Sequence, residues 1–375
     1  KSGPISPQLS SRLSRLMGDF SLPQDEDSLT LDVWCPDTGQ KEIPVLFWIH
    51  GGAYVSGAGS LKWYRGASFA KNQNVIVIGV NYRLGALGFL CHPDISPGNI
   101  GIEDQILALD WVYNNIEYFG GNRRNITLMG QSAGAISVYA LLANKKSSKM
   151  VSNAILQSGR YNNFEELDAA HNKAEKFAHI AGVKVNALKT LPLEDILNVQ
   201  TKFIKAQAEF ASSRIPFLPV IDQYTISAEV HENFIEGAIG KNIIVGFNND
   251  EMHAWFSGIE EIENASTEQI ELVFKREFKN NWNVILDECR KRRPGAGAME
   301  MISMGMNISN FEGQTLNLAK RLSAANINTW LYRFDWGSFE GVFGACHCME
   351  LPFIFDTAVE WDPPMLLGGK VKEIA

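Results

Sequence analysis

A serine flanked by two glycines is the stretch of this sequence with the clearest chemical potential. Residues 130–134 read Gly-Gln-Ser-Ala-Gly, between a short apolar run and an alanine-rich run of helix-forming residues. The order of strand, Gly-x-Ser-x-Gly and helix predicts a sharp turn that holds the hydroxyl of Ser132 above a sheet. The turn also places Ser132 where a helix begins, and the free backbone N–H groups there stabilise negative charge. We therefore expect Ser132 to act as a nucleophile.

A glycine-containing turn upstream could supply a second part of the same chemistry. The apolar run at residues 44–49 leads into residues 50–54, which read His-Gly-Gly-Ala-Tyr. Acyl transfer requires N–H donors aimed at the oxygen that becomes negative in the tetrahedral intermediate. Glycines after a buried strand let the backbone approach a substrate closely enough to supply such donors. Taken alone, the segment could be an ordinary turn. Together with the serine motif it indicates an oxyanion-binding turn, in which His50 is structural.

Several motifs together resemble one enzyme family. Residues 119–134 are similar to the serine-site motif of the type-B carboxylesterase and cholinesterase family. Residues 26–36 resemble its second motif, with Ser28 where cysteine is usual. Residues 81–85 and 332–336 also resemble family segments, the latter especially those of bacterial para-nitrobenzyl esterases. Because the resemblance runs over nearly the whole chain in the expected order, the chain is identified as a member of this family.

The resemblance implies an α/β-hydrolase fold and a Ser–Glu–His triad, with no metal or organic cofactor. In this family the acid follows the serine and the histidine comes last. His347 has the family histidine's setting, with a glutamate three residues later and a Pro-Phe pair after that. The apolar run at residues 243–247 leads to Asp250 and Glu251, and either carboxylate could reach a histidine. The family uses the second acid of such a pair, which favours Glu251 over Asp250.

The remaining site residues follow from the same resemblance. The N–H groups of Gly52, Ala53 and Ala133 would bind the oxyanion. The histidine would take the serine proton and return it to the leaving alcohol, while the acid holds the imidazole in the required tautomer. His253 is a rival base, but it stands only two residues after the acid and is expected to point elsewhere.

The predicted function is hydrolysis of neutral carboxylic esters of small molecules through an acyl-serine intermediate. Gln131 precedes the serine where the family often has glutamate, so a cationic substrate would lack an anionic partner there. Two alternatives stay open at this stage. One is a non-catalytic adhesion or binding protein on the same fold. The other is a hydrolase of amides, lactones, thioesters or phenolic esters.

Composition bears on several other classes of protein. The chain has 375 residues, of which 45% are hydrophobic and 20% charged, as is typical of a globular enzyme with a large core. Its net charge of −8 argues against nucleic-acid binding, and no apolar run is long enough to predict a membrane span. An odd count of five cysteines favours a cytoplasmic protein over a secreted one. The Cys-His-Cys run at residues 346–348 lacks the second cluster that a zinc site would need.

Alternating strand-like and helix-like runs predict the elements that position these residues. They indicate a mostly parallel central sheet with helices on both faces. We expect a single catalytic domain over residues 1–375. Within it, residues 163–213 are expected to form a helical insertion near the substrate entrance, and residues 260–325 a helix-rich subdomain. Compared with the family, the chain is expected to lack both terminal ends.

Overall fold

The computed structural model describes residues 2–337 and 342–361. The strands in chain order are β1 Leu31–Trp34, β2 Ile43–Ile49, β3 Ile76–Val80, β4 Gly121–Gln131, β5 Asn153–Gln157, β6 Glu165–Glu166, β7 Val220–Ile221, β8 Asn242–Asn248 and β9 Asn328–Phe334. Seven of these form the central sheet in the order β1-β3-β2-β4-β5-β8-β9, and β6 pairs with β7. β1 is antiparallel to β3, whereas the other neighbours in the central sheet run parallel. The predicted mostly parallel sheet is therefore confirmed.

Helices connect most of the strands. The α-helices are α1 Ser14–Met17, α2 Ala67–Gln73, α3 Gly85–Phe89, α4 Ile100–Asn115, α5 Ala133–Ala143, α6 Leu167–Ala181, α7 Leu193–Ala206, α8 Val230–Ala238, α9 His253–Phe256, α10 Glu260–Glu263, α11 Thr267–Phe278, α12 Trp282–Arg292, α13 Ala298–Asn307, α14 Gly313–Ala324 and α15 Leu351–Ile354. A π-helix at Ile308–Glu312 joins α13 to α14. Among these helices, none combines the length and the apolar character that crossing a membrane requires.

The unbroken apolar sequence of β2 is explained by burial on both faces of the strand. Phe47 packs in one hydrophobic cluster with side chains from α4, α5, α8 and α14. Its neighbour Trp48 packs in a second cluster, together with Tyr64, Leu351 and Phe355. Successive side chains of a strand point to opposite faces, so these clusters lie on opposite sides of the sheet. Each such buried side chain contributes roughly 1.5–3 kcal/mol through removal of apolar surface from water.

The register of the parallel strands brings their carboxyl ends to one edge of the sheet. Ile49 of β2 lies beside Gly130 of β4, and Gln131 lies beside Gln157 of β5. Gln157 in turn lies beside Gly246 of β8. Loops after neighbouring parallel strands therefore meet above this edge, where ligands of open α/β sheets bind.

The two predicted insertions are largely helical. Residues 163–213 include α6 and α7 as well as the short strand β6, and residues 260–325 include α10 to α14. In the second segment, Phe274, Ile302 and Phe311 pack in a hydrophobic cluster that also contains Phe247 of β8 and Met252. The division of the chain into one catalytic domain with an entrance insertion and a subdomain stays a prediction.

Candidate active site

Ser132 occupies a strained turn at the edge of the sheet. β4 ends at Gln131 and α5 begins at Ala133, and the serine between them has a φ of 58° and a ψ of −122°. A non-glycine residue in this region typically costs about 1–3 kcal/mol, which the surrounding structure must offset. One contribution is a hydrogen bond of 2.8 Å that the Ser132 N–H donates to the Gln157 carbonyl. The turn lifts the serine hydroxyl out of the sheet, as its sequence motif predicts.

The two glycines of the motif are required by close backbone contacts. A Cβ atom at Gly130 would lie 2.3 Å from the carbonyl oxygen of Gly134. A Cβ atom at Gly134 would lie 2.0 Å from the carbonyl oxygen of Ile49. Any side chain at either position would therefore force β2, β4 and α5 apart.

Glu251 and His347 form a buried pair beside this turn. The Nδ1 atom of His347 lies 2.5 Å from the Oε2 atom of Glu251, and both side chains are fully buried. The other carboxylate oxygen of Glu251 accepts a 2.8 Å hydrogen bond from the Asn248 N–H. The main chains are also joined, since the His347 N–H donates to the Glu251 carbonyl. The carboxylate thus fixes the imidazole with Nδ1 as donor and Nε2 as acceptor.

The alternative acid Asp250 and the alternative base His253 point away from this pair. Asp250 accepts a 3.1 Å hydrogen bond from the Ala345 N–H and forms a 3.3 Å ion pair with Arg293. His253 lies with Asp250 and Arg293 in a separate charged cleft. Burial lowers the pKa of this histidine. Of the two adjacent acids, the structure brings Glu251 to His347.

The Nε2 atom of His347 is occupied by Gln131. The Gln131 amide Nε2 lies 3.1 Å from it, while Ser132 and His347 both line one pocket. Within the described residues, no hydrogen bond joins the hydroxyl of Ser132 to the imidazole. Catalytic hydrogen bonds are often looser before substrate binds. In this structure the Nε2 atom of His347 therefore contacts the Gln131 amide.

The turn after β2 exposes backbone N–H groups beside the serine. Gly52, Ala53 and Tyr54 have φ values of 105°, 55° and 59°. The N–H groups of Gly52, Ala53 and Ala133 donate no hydrogen bond to any residue that the structure describes. Gly52 and Ala53 line the pocket, and Ala133 opens helix α5, where the N–H groups lack helical partners.

Aromatic side chains hold this turn in place. The ring of His50 stacks on Tyr82 at 4.4 Å between ring centroids, and the Tyr82 hydroxyl donates to the His50 carbonyl. Burial lowers the pKa of His50 to about 4, so its ring is neutral at physiological pH. The Tyr54 hydroxyl donates to the Ala133 carbonyl over 2.8 Å and ties the turn to α5. These contacts agree with the structural role expected for His50.

The pocket contains residues that the sequence motifs did not indicate. It holds about 840 Å³ of empty space, part of it open to solvent, and Arg160, Trp255 and Phe311 contribute to its wall. Arg160 could have been found as a charged residue just after a strand neighbouring that of the serine. Phe311 belongs to the π-helix, for which the sequence carries no comparable signal. Of the segment 163–213, only Ser213 lines this pocket, and Arg214 follows directly.

Comparison with known proteins settles the family. A family model described as the carboxylesterase family matches residues 1–363. The chain belongs to the carboxylesterase family. It is 34% identical to a probable N-octanoylanthranilate hydrolase of Rhodococcus erythropolis, over 99% of this chain and 78% of that protein. It is 32% identical to the para-nitrobenzyl esterase of Bacillus subtilis, over 94% of this chain and 72% of that protein.

Solved structures agree with this family. The fold of a PNB esterase matches 99% of this chain and 76% of that chain, with 30% sequence identity and a TM-score of 0.84. The resemblance stated from the motifs, the α/β-hydrolase fold and the predicted ester-hydrolase activity are thereby confirmed. This family member is a carboxylic ester hydrolase. The roles of its individual site residues stay predictions.

Proposed function

We propose that Ser132, Glu251 and His347 are the catalytic triad of this carboxylesterase and that it hydrolyses neutral esters through an acyl-serine intermediate. The buried 2.5 Å contact between Glu251 and His347, in the wall of the pocket that contains Ser132, is the observation that carries the proposal. A carboxylate in this position orients the imidazole and stabilises its protonated form. The neighbouring Asp250 is already engaged by Arg293 and does not compete for this role.

In the proposed reaction, His347 moves the protons while Ser132 carries the acyl group. After Gln131 releases it, the Nε2 atom of His347 takes the proton of Ser132 as the serine oxygen attacks the ester carbonyl. The tetrahedral intermediate collapses, and the alcohol leaves with the proton from the imidazole. A water molecule, deprotonated by the same imidazole, then attacks the acyl-serine. The second tetrahedral intermediate collapses, the carboxylic acid leaves, and the serine oxygen takes the proton back from the imidazole.

The negative oxygen of the intermediate is bound by backbone groups. The N–H groups of Gly52, Ala53 and Ala133 are the donors in this proposal, and all three lack other acceptors among the described residues. Losing one donor of this kind typically costs about 3 kcal/mol of transition-state stabilisation.

The choice of a neutral substrate rests on Gln131. The two relatives are named for different substrates, N-octanoylanthranilate and a para-nitrobenzyl compound, so membership of the family leaves the substrate open. Gln131 is buried and touches the imidazole, and its amide offers hydrogen bonds without a charge. A cationic alcohol such as choline would therefore find no anion at this position.

Fluorophosphonate labelling followed by peptide mapping tests the nucleophile. Ser158 is a matched control, because it also follows a strand, has a φ of 52° and lines the same pocket. We expect the label on Ser132, its loss in Ser132→Ala and its retention in Ser158→Ala. We also expect 4-nitrophenyl esters of increasing acyl length to give an initial burst that Ser132→Ala lacks. A labelled and active Ser132→Ala variant would overturn the proposal.

We further propose a cytoplasmic location. All five cysteines are free, and Cys91, Cys289, Cys346 and Cys348 are buried. Secreted proteins more often use cysteines in disulfides. Fractionation of native cells tests this proposal, which recovery of the enzyme from the medium would contradict.

A further inference from the structure

Arg160 is a buried cation in the wall of the Ser132 pocket. It follows β5 and is only 8% exposed. Its guanidinium donates to the carbonyl and hydroxyl of Ser213 at 3.0 and 3.1 Å, and to the sulfur of Met252 at 3.6 Å. It also lies 4.9 Å from the ring centroid of Phe311. A guanidinium has five N–H donors, so these three bonds leave two without an acceptor among the described residues.

No carboxylate of the described residues forms a hydrogen bond or an ion pair with Arg160. Arg12, Arg160 and Arg214 line the pocket, and no aspartate or glutamate of the described chain joins them. This is unexpected in a protein whose net charge is −8. Burial lowers the pKa of Arg160 to about 10, which still leaves the side chain charged at neutral pH. Glu251 and Glu277 favour this charge electrostatically but do not bond to it. A buried charge without a directly bonded ionic partner is costly, and an anion that enters the pocket would offset this cost.

The guanidinium is close to the reacting groups. It packs over Phe311, whose ring centroid lies 5.5 Å from that of His347. The strand that carries Arg160 ends at Gln157, which accepts the hydrogen bond of the Ser132 N–H. A substrate held by Ser132 would therefore occupy a pocket whose wall includes Arg160.

We propose that Arg160 binds an ionised carboxylate of the substrate, so that the preferred substrates are esters with a second, anionic acid group near the scissile bond. The inference rests on the proposed function, because it assumes that the ester is cleaved at Ser132. Neutral esters are also substrates, and they lack this additional contact. An arginine suits the role because its fork of N–H groups matches the two oxygens of a carboxylate.

Matched pairs of esters test the inference at neutral pH. For the acyl side, the mono-4-nitrophenyl ester of glutaric acid is compared with the 4-nitrophenyl ester of glutaramic acid. For the alcohol side, 4-acetoxybenzoate is compared with 4-acetoxybenzamide. We expect kcat/KM of the wild-type enzyme to be roughly 10- to 100-fold higher for the carboxylate in at least one pair, as for a charge-assisted hydrogen bond. In Arg160→Gln the ratio within that pair falls to about one, because glutamine carries no charge.

Arg276→Gln is the control variant. Arg276 donates to the carbonyls of Phe210 and Ala211 in the same loop that Arg160 holds, but it has Glu277 beside it and lies outside the pocket. It should keep the wild-type ratio of kcat/KM. A ratio near one in wild type, or a high ratio that persists in Arg160→Gln, overturns the inference.

Two further measurements separate the possible failures. Suppose that wild type hydrolyses the neutral esters of the pairs, which carry an amide in place of the carboxylate, and that Ser132→Ala does not. If wild type then shows no preference for the carboxylate esters, the proposed function stands and only the role of Arg160 fails. If neither the neutral nor the anionic esters are cleaved, the proposed function itself fails. Should Arg160→Gln not fold, competitive inhibition of the wild-type enzyme decides the question. We expect benzoate to inhibit hydrolysis of 4-nitrophenyl acetate more strongly than benzamide, and equal inhibition overturns the inference.

Discussion

The Ser132 pocket and the charged cleft around Asp250 use arginine in opposite ways. In the cleft, Arg293 pairs with both Asp250 and Glu300. Its neighbour Arg292 pairs with Glu288 and Glu312 at 2.9 and 2.8 Å. In the pocket, the more deeply buried Arg160 donates only to neutral groups. Paired arginines at a partly exposed surface are adequately explained by local structure. The buried one bonds to no carboxylate, and for it we propose a ligand as the partner.

The same contrast separates two adjacent acids. Asp250 and Glu251 leave β8 together, yet their side chains turn to different sides. Asp250 faces the cleft and Arg293, whereas Glu251 is fully buried against His347. The chemistry of a carboxylate is thus decided here by which neighbour it meets, and substitutions at the two positions should differ accordingly.

The largest expected effect separates these two acids. We expect Glu251→Gln to lower kcat/KM for neutral esters by about 10⁴-fold, because an amide favours the wrong imidazole tautomer. Asp250→Asn should lower it by less than about tenfold and reduce stability by roughly 1 kcal/mol, as for a single ion pair. Steady-state kinetics and urea unfolding of both variants measure this. A greater loss of activity in Asp250→Asn than in Glu251→Gln would reverse the assignment.

The next largest effect is expected from a buried acid, Glu350, that has no arginine partner among the described residues. Glu350 is buried, and its Oε2 accepts a 2.6 Å hydrogen bond from the Asn248 amide. Burial, together with the nearby Glu251, raises the pKa of Glu350 from 4.5 to about 8. Between these two values the folded state keeps a proton that the unfolded chain has released. The contribution of Glu350 to stability is therefore complete below about pH 4.5 and is lost as the pH rises through about 8.

Glu350→Gln isolates this contribution, because glutamine does not ionise. We expect the unfolding free energy of wild type to fall relative to that of the variant by a few kcal/mol, on the order of 1.4 per pH unit, across that window. Urea unfolding at a series of pH values measures the difference. Parallel pH profiles for the two proteins would show that Glu350 does not hold a proton in the fold.

A smaller effect follows from placing an acid inside the pocket. Gln131→Glu puts a carboxylate beside His347, in a pocket whose described lining includes three arginines and no acid. We expect kcat/KM for butyrylcholine, relative to a neutral butyrate ester, to rise about tenfold, which corresponds to 1.4 kcal/mol. The acidic limb of the pH profile should also move to higher pH, because the new carboxylate favours the protonated imidazole. An unchanged ratio would show that the charge at position 131 does not govern selection of the alcohol.

Some parts of the pocket can be predicted from the sequence and others cannot. The turns at Ser132 and at residues 50–54 are predictable from the sequence, because a sharply turning backbone requires particular residue types close together in the chain. The choice of Glu251 over Asp250 needed the family resemblance, since both acids end the same strand. The contact between Arg160 and Phe311 is not predictable from the sequence, because it depends on the order of the strands and on a π-helix.

The contact of Gln131 with His347 shows the same limit. The two residues are 216 positions apart, and neither residue type predicts that the other will contact it. Local turns and apolar runs could therefore be read from the sequence, whereas contacts made by convergence of distant loops needed the structure.

The smallest expected effect comes from the paired arginine of the cleft. Arg293 is 42% exposed, so solvent screens its ion pairs with Asp250 and Glu300. We expect Arg293→Gln to reduce stability by less than about 1 kcal/mol and to leave the preference for anionic over neutral esters as in wild type. Urea unfolding and the matched ester pairs measure both quantities. If this variant lost the anion preference as Arg160→Gln should, the preference would arise from the overall field of the protein, and pairing would no longer distinguish the two arginines.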